Sequence, residues 1–332
     1  MPAIAASAQQ YGVRFYWHLG DFRANYNIDE DISRRPEYQS KSLALSLEDY
    51  RRMAWQDFKD HQLMPFDPVP VFLGIGNHEL GDPLNVVHTR DEYIDAFRKW
   101  LDQPPIAQTR LADDPSDSKP QTHYHWQESG VDFINMDNAS NDQFDARQMA
   151  WFRRVAARDE SDPKVLTIVV GMHKALPDSL SFSHSMSETN APLPIDSGRE
   201  VYRELLKAHS QASKNVYILA SHSHFYMDGI FNTEYWRENG GVLPGWIVGT
   251  AGAQRYMLPD DWRQANLAIQ HVYGYLLATV NPRAGEGESA DGSIRFEFKL
   301  LNKSDVPPQI EQRFSPALVD FCFDQNVSNK RL

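Results

Sequence analysis

Four short polar groups in this chain each follow a run of apolar residues. Gly20-Asp21 comes after 15–19, Gly76-Asn77-His78-Glu79 after 69–73, His173 after 165–170, and Ser221-His222-Ser223-His224 after 216–220. A carboxylate, an amide oxygen and several imidazoles form a mixed nitrogen and oxygen donor set that suits Mn, Fe or Zn. With one cysteine in the chain, Cys322, a thiolate metal site and an intrachain disulfide are both excluded. His222 and His224 stand two apart, so an extended backbone would project both imidazoles to one side. Taken singly, each group has an ordinary alternative: a turn, a helix cap or a satisfied polar histidine. Their conjunction, each at the end of its own strand, points to a metal centre, because the carboxyl ends of strands in an α/β sheet open onto the crevice where ligands bind.

The elements that must position these groups are legible from periodicity. The Ala- and Gln-rich 3–11 segment reads as a helix ended by Gly12, followed by a strand over 13–19. Residues 22–42 are irregular, and Leu43, Leu47, Tyr50, Ala54 and Phe58 form a helical stripe that ends at Pro65, Pro68 and Pro70. A strand over 69–73, a helix over 91–101 and a Pro- and Asp-rich loop over 102–119 come next. Strands at 123–126 and 131–136 precede a helix at 146–158, a strand at 165–170, a long loop at 177–196 and a helix at 198–209. The strand at 216–220 completes the core alternation, and later strands fall at 246–248, 273–280 and 294–300, the last two flanking a Gly-rich 285–292 loop. The expected fold is α/β: a single four-layer αββα sandwich of two mixed sheets with helices outside, spanning 1–302, with 303–332 as a tail carrying an apolar patch from Phe314 to Phe323.

Composition narrows the function. The 332 residues carry 33 Lys and Arg against 45 Asp and Glu, a net charge of −12. That balance, with no basic run, argues against a nucleic-acid partner, since counterion release requires clustered cations. At 41% hydrophobic the chain can bury a large core, and no stretch reaches the length of a membrane span. The compartment is left open: cytoplasmic if the chain is complete, periplasmic or secreted if a leader preceded it. Oligomeric state is likewise open.

These motifs resemble the calcineurin-like metallophosphoesterases, whose signature runs Asp-x-His, Gly-Asp, Gly-Asn-His-Glu/Asp, His, Gly-His-x-His. The chain supplies every element but the first, with Ser221 in place of the usual Gly. The 131–137 segment with Gln148, Trp151 and Phe152 also looks like the family's intervening segment. The resemblance implies two divalent ions, Mn, Fe or Zn, and hydrolysis of a phosphomonoester or diester by a metal-bound hydroxide acting on a small phosphorylated substrate. It implies that Asp21 bridges the ions, that Asn77, His173 and His222 complete one site, and that His224 belongs to the other. It further implies that His78, with Glu79 beside it favouring the imidazolium, touches the phosphate and protonates the leaving oxygen.

Two departures stand out. Residues 1–20 hold no Asp or Glu, so the Asp-x-His strand is missing, and the chain is expected to begin inside the ancestral domain. His18 reads as packing. The resemblance to purple acid phosphatases lacks their tyrosine ligand, since position 24 is Ala and Tyr26 is out of register. His123 and His125 are expected at the surface, Asp137 in a structural role and Cys322 in the core; His184 is a substrate-reaching candidate, and Arg255 and Tyr256 are candidates for the site edge. Metallo-β-lactamase and amidohydrolase patterns fit the histidine spacing poorly. A metal-poor scaffold that keeps the fold is the alternative function.

Overall fold

The computed structural model describes residues 1–34, 45–82, 85–140, 143–188, 196–281 and 290–329. Leu43, residues 35–42 of the irregular segment, 189–195 of the long loop and 285–289 of the Gly-rich loop lie outside them. The strands are β1 (Tyr16–His18), β2 (Val71–Leu73), β3 (Gly81–Asp82), β4 (Asn85–Val86), β5 (Tyr124–Glu128), β6 (Val131–Asn135), β7 (Thr167–Gly171), β8 (Asn215–Ala220), β9 (Tyr226–Asp228), β10 (Gly245–Val248), β11 (Leu267–Ile269), β12 (Tyr273–Val280) and β13 (Ile294–Leu301).

Seven of them form one mixed sheet in the order β11-β9-β10-β8-β7-β6-β5, with β6, β7, β8, β10 and β11 running one way and β5 and β9 the other. Facing it lie the parallel pair β1-β2 and the antiparallel pair β12-β13. Alternation along the strands shows why the sheet needs cover on both sides. Ile134, Ile168, Val170, Val216 and Ile218 point into a core shared with Met149, Phe152, Val201 and Leu205 of the helices Ala146–Ser161 and Ser197–Ala212. Val131, Phe133 and Val169 point the other way, into a second core with Phe72, Leu73, Trp126 and Ile294. Helix, sheet, sheet and helix therefore stack as the alternating pattern requires. No described helix is long and apolar enough to cross a membrane.

Three expectations are corrected. The 102–119 loop contains a helix, Pro104–Asp113, because prolines at the first helical positions lose no intrahelical bond and Ile106 faces the core. That helix covers the edge strand β5 and buries His125, expected at the surface, between the carboxylates of Asp132 and Asp113, each 2.9 Å away. Residues 303–329 are not an undefined tail. They fold into the short helices Pro308–Phe314 and Pro316–Asp320, and Arg255 donates to the carbonyls of Cys322, Phe323 and Asn326 beyond them. Cys322 is half-buried. Strands β9 and β11, three residues each, are too short for periodicity to show.

Candidate metal centre

The Gly20-Asp21 turn follows β1 and the Gly76-Asn77 turn follows β2, and the parallel register of the pair, His18 opposite Leu73, brings the two turns side by side. Their approach requires two glycines. Gly20 holds φ +97°, and a Cβ there would sit 2.4 Å from the Gly76 nitrogen; a Cβ on Gly76 would meet the Asp21 carboxylate at 2.2 Å. Glu79 locks the arrangement. Its carboxylate, buried completely, accepts from the backbone amides of Gly76 and Asp21 at 2.8 Å and of Phe22 at 2.7 Å. Burial and the charge of Asp21 push its pKa up to about 8 against those amides. All three of these bonds come from backbone, so Glu79 does not back the His78 imidazole as expected: it ties one turn to the other.

On the neighbouring sheet, β7 ends before His173 and β8 before His222. The His173 carbonyl accepts from the amides of both Ser221 (2.9 Å) and His222 (3.0 Å), which pins the two segments into one corner. Nδ1 of His173 lies 2.9 Å from the Leu19 carbonyl, and the Ser221 hydroxyl donates to that same carbonyl at 3.0 Å. Donation from Nδ1 leaves Nε2 as an acceptor turned toward Asn77 Oδ1 (3.0 Å), Asp21 Oδ2 (3.0 Å) and His222 Nδ1 (2.9 Å). Asp21, His173 and His222 offer ligand atoms that all lie within 4.8 Å of one another. The donor set fits a divalent cation: one carboxylate, one amide oxygen and two imidazoles converge from four different strand ends.

Electrostatics agree with the geometry at Asp21, His222 and His224. Burial opposes ionisation of Asp21, yet His173, His78 and His222 hold its carboxyl well below the usual range. Burial, reinforced by His173, keeps His222 well below its ordinary value, and burial lowers His224 to about 4, so both stay neutral as ligation requires. His173 runs the other way: the charge of Asp21 and the bond to it outweigh burial and raise its pKa, so a cation that binds there takes the place of a proton on Nε2.

The remaining residues named from sequence are placed as follows. His224 stands apart from the convergent group; its Nδ1 lies 2.9 Å from the Gln254 carbonyl and its ring stacks on Tyr256 at 4.3 Å. His78 places Nδ1 2.7 Å from the Ala24 carbonyl and Nε2 3.9 Å from Asp21 Oδ2. His184 stacks on His222 at 5.2 Å, so the long loop does reach the site. Arg255 faces the C-terminal segment rather than the site, whereas its neighbour Tyr256 lines the edge. His18 packs edge-on against Phe22 and Phe58, and Asp137 binds Arg90 and Thr122, a structural hub. Tyr26, out of register for a metal ligand, nonetheless meets His78 edge-on with its ring at 4.7 Å and donates its hydroxyl to the Asn77 carbonyl. Its aromatic type just after a Gly-Asp turn was the available signal.

No protein-family model and no curated protein matches the chain. Solved structures do. A purple acid phosphatase from yellow lupin (Lupinus luteus) seeds superposes with a TM-score of 0.52 at 14% identity, over 83% of this chain and 43% of that one. PhoD superposes with a TM-score of 0.51 at 13% identity, over 83% of this chain and 60% of that one. The chain has the metallophosphoesterase fold. It spans about half the length of the structures it matches.

Proposed function

We propose that the protein is a metal-dependent hydrolase of phosphate esters. The observation that carries this is the convergence of Asp21, Asn77, His173 and His222 in one corner of a fold shared with phosphatases. Those four residues would hold one divalent ion, Mn, Fe or Zn, and Asp21 with His224 would contribute to a second. When bound, such ions supply Lewis acidity toward the phosphoryl oxygens.

The chain's own residues do the rest. His78 orients its Nε2 toward the centre, because the Ala24 carbonyl holds Nδ1 and the Tyr26 ring packs against its edge. From there it would contact the phosphoryl group and deliver a proton to the departing oxygen. Glu79 keeps Asp21 and Asn77 in register. His184 and Tyr256, stacked on His222 and His224, would flank a small phosphorylated substrate and limit water at the rim.

The test is to load the purified protein with Mn, Fe or Zn in turn and measure bound metal with hydrolysis of p-nitrophenyl phosphate and bis(p-nitrophenyl) phosphate. Retained metal with turnover that disappears in Asp21→Ala is expected. Retained metal without turnover of either ester would overturn the reading. The metal-poor scaffold is favoured by one observation, that a single group of three metal-type side chains gathers among the described residues. It predicts no stoichiometric metal at all.

A further inference from the structure

The turn at 24–26 supplies none of the convergent donors, yet it grips His78 and Asn77 closely. The Ala24 carbonyl lies 2.7 Å from His78 Nδ1, and the Asn25 side-chain amide donates to the His78 carbonyl at 2.8 Å. Tyr26 sets its ring edge-on to the imidazole and its hydroxyl on the Asn77 carbonyl. A carbonyl can only accept, so the proton of the bond to Ala24 belongs to Nδ1. Nε2, 3.9 Å from Asp21 Oδ2, is then the nitrogen left to exchange a proton with a ligand.

The turn does not hold this shape by itself. Asn25 is completely buried and sits in the left-handed region at φ +56°, a conformation that asparagine tolerates but that persists only where its surroundings fix it. The fixing comes from the helix Leu47–Phe58, whose own start is set by the Ser46 cap. Tyr50 and Arg51 of that helix both reach the turn. The Tyr50 hydroxyl bonds the Asp29 carboxylate, which accepts from the Ala24 amide at 3.3 Å, and Arg51 donates from Nε to the Asn25 carbonyl at 2.7 Å. Asp29 also pairs with Arg23, whereas the Asn25 carbonyl is the one hydrogen-bond partner of Arg51 among the described residues. Removing the Arg51 guanidinium therefore releases the turn and nothing else that is hydrogen-bonded.

We propose that Arg51 is a positioning residue for His78: through the Asn25 carbonyl it holds the turn that keeps the proton on Nδ1 and aims Nε2 at the leaving oxygen. Arg51 itself makes no bond to Asp21, Asn77, His173 or His222. The proposal rests on the reading of His78 as proton donor in phosphoester hydrolysis. Proton delivery needs hydrogen-bond reach, and a misplacement of about 1 Å is enough to cost a hundredfold in rate.

A spectroscopic and a kinetic readout on the Zn-loaded full chain test it together. Nitrogen NMR of isotope-labelled histidine, at a pH where the ring is neutral, reports which ring nitrogen carries the proton, and the His78 signals are identified by their absence in His78→Ala. The parent is expected as the Nδ1–H tautomer. Arg51→Met, which keeps the stem and loses the donor, and Asn25→Gly, which keeps the left-handed turn and loses the amide, are expected as mixtures. With phenyl phosphate, Arg51→Met should lower kcat roughly tenfold at unchanged KM and bound metal, and less with p-nitrophenyl phosphate, whose leaving group needs less proton donation. In the His78→Ala background the same change should cost nothing further, because the two residues act as one unit. A parent His78 protonated on Nε2, or a tautomer unmoved by Arg51→Met, would overturn the proposal whatever the activity. A loss that adds to that of His78→Ala, or that comes with loss of metal, would overturn it too, by making Arg51 a structural residue only. A parent that turns over neither ester would instead overturn the phosphoesterase reading, and the tautomer would still decide whether Arg51 sets His78.

Discussion

The two halves of the candidate centre are built differently. Around Asp21, Asn77, His173 and His222, every side chain sits at the end of a core strand and is fixed by buried bonds: Glu79 to three amides, the His173 carbonyl to two, the Leu19 carbonyl to Nδ1 of His173. Around His224 the support is one loop, through the Gln254 carbonyl and the Tyr256 ring, and that loop is held from behind by Arg255 and the 322–328 segment. A donor set on strand ends inherits the rigidity of the sheet. A donor on a loop inherits whatever clamps the loop.

The comparison is broken most directly at its stronger half. His222→Ala and Asp21→Ala each remove a member of the convergent group, and both are expected to abolish metal retention, read as metal per chain by elemental analysis, with activity lost alongside. Untouched metal content and turnover in His222→Ala would remove the centre from this corner. Next in size is Glu79→Ala. It strands the buried amides of Gly76 and Phe22 at roughly 1–3 kcal/mol apiece and the part-buried amide of Asp21 at less, so the melting temperature should drop sharply and metal with it. If stability and metal both survived, the two turns would be held by something other than this carboxylate.

His78 separates binding from chemistry. Its imidazole touches no other histidine of the convergent group and reaches Asp21 at 3.9 Å through Nε2. His78→Ala should therefore keep metal while lowering turnover about a hundredfold or more. The loss should shrink for esters with good leaving groups, which need less proton donation. Equal loss for good and poor leaving groups would make His78 a binding residue.

Legibility from sequence divides along the same line. Residues at the ends of long apolar strands could be named because apolar runs and Gly-containing turns are local signals, and so could the two-sheet sandwich. Adjacency in sequence pairs Glu79 with His78, whereas its backbone partners are set by the meeting of two turns more than fifty residues apart. The alternation around Tyr124 predicts His125 at the surface, but the helix that covers it begins at Pro104-Pro105, which looks like a breaker. The 303–329 segment has too few apolar residues in regular order to announce its helices, and what secures it, the Arg255 guanidinium against three carbonyls, has no periodic signature.

Arg255 gives the smallest expected effect and the sharpest one. Its backbone also takes part: the Arg255 amide donates to the Asn326 carbonyl and the Ser328 amide to the Arg255 carbonyl, so the loop carrying Gln254 and Tyr256 is stitched to the C-terminal segment on both sides. Removing the guanidinium loosens that loop without touching any strand end. In a two-step metal titration, Arg255→Ala should weaken the second ion by about tenfold and leave the first, held by Asp21, Asn77, His173 and His222, where it was. Arg255→Lys, which keeps the charge but cannot span several carbonyls with a planar fork, should fall between the parent and Ala. Equal weakening of both steps would mean that the C-terminal segment supports the whole domain rather than the His224 half, and the contrast between a strand-built site and a loop-built one would fail.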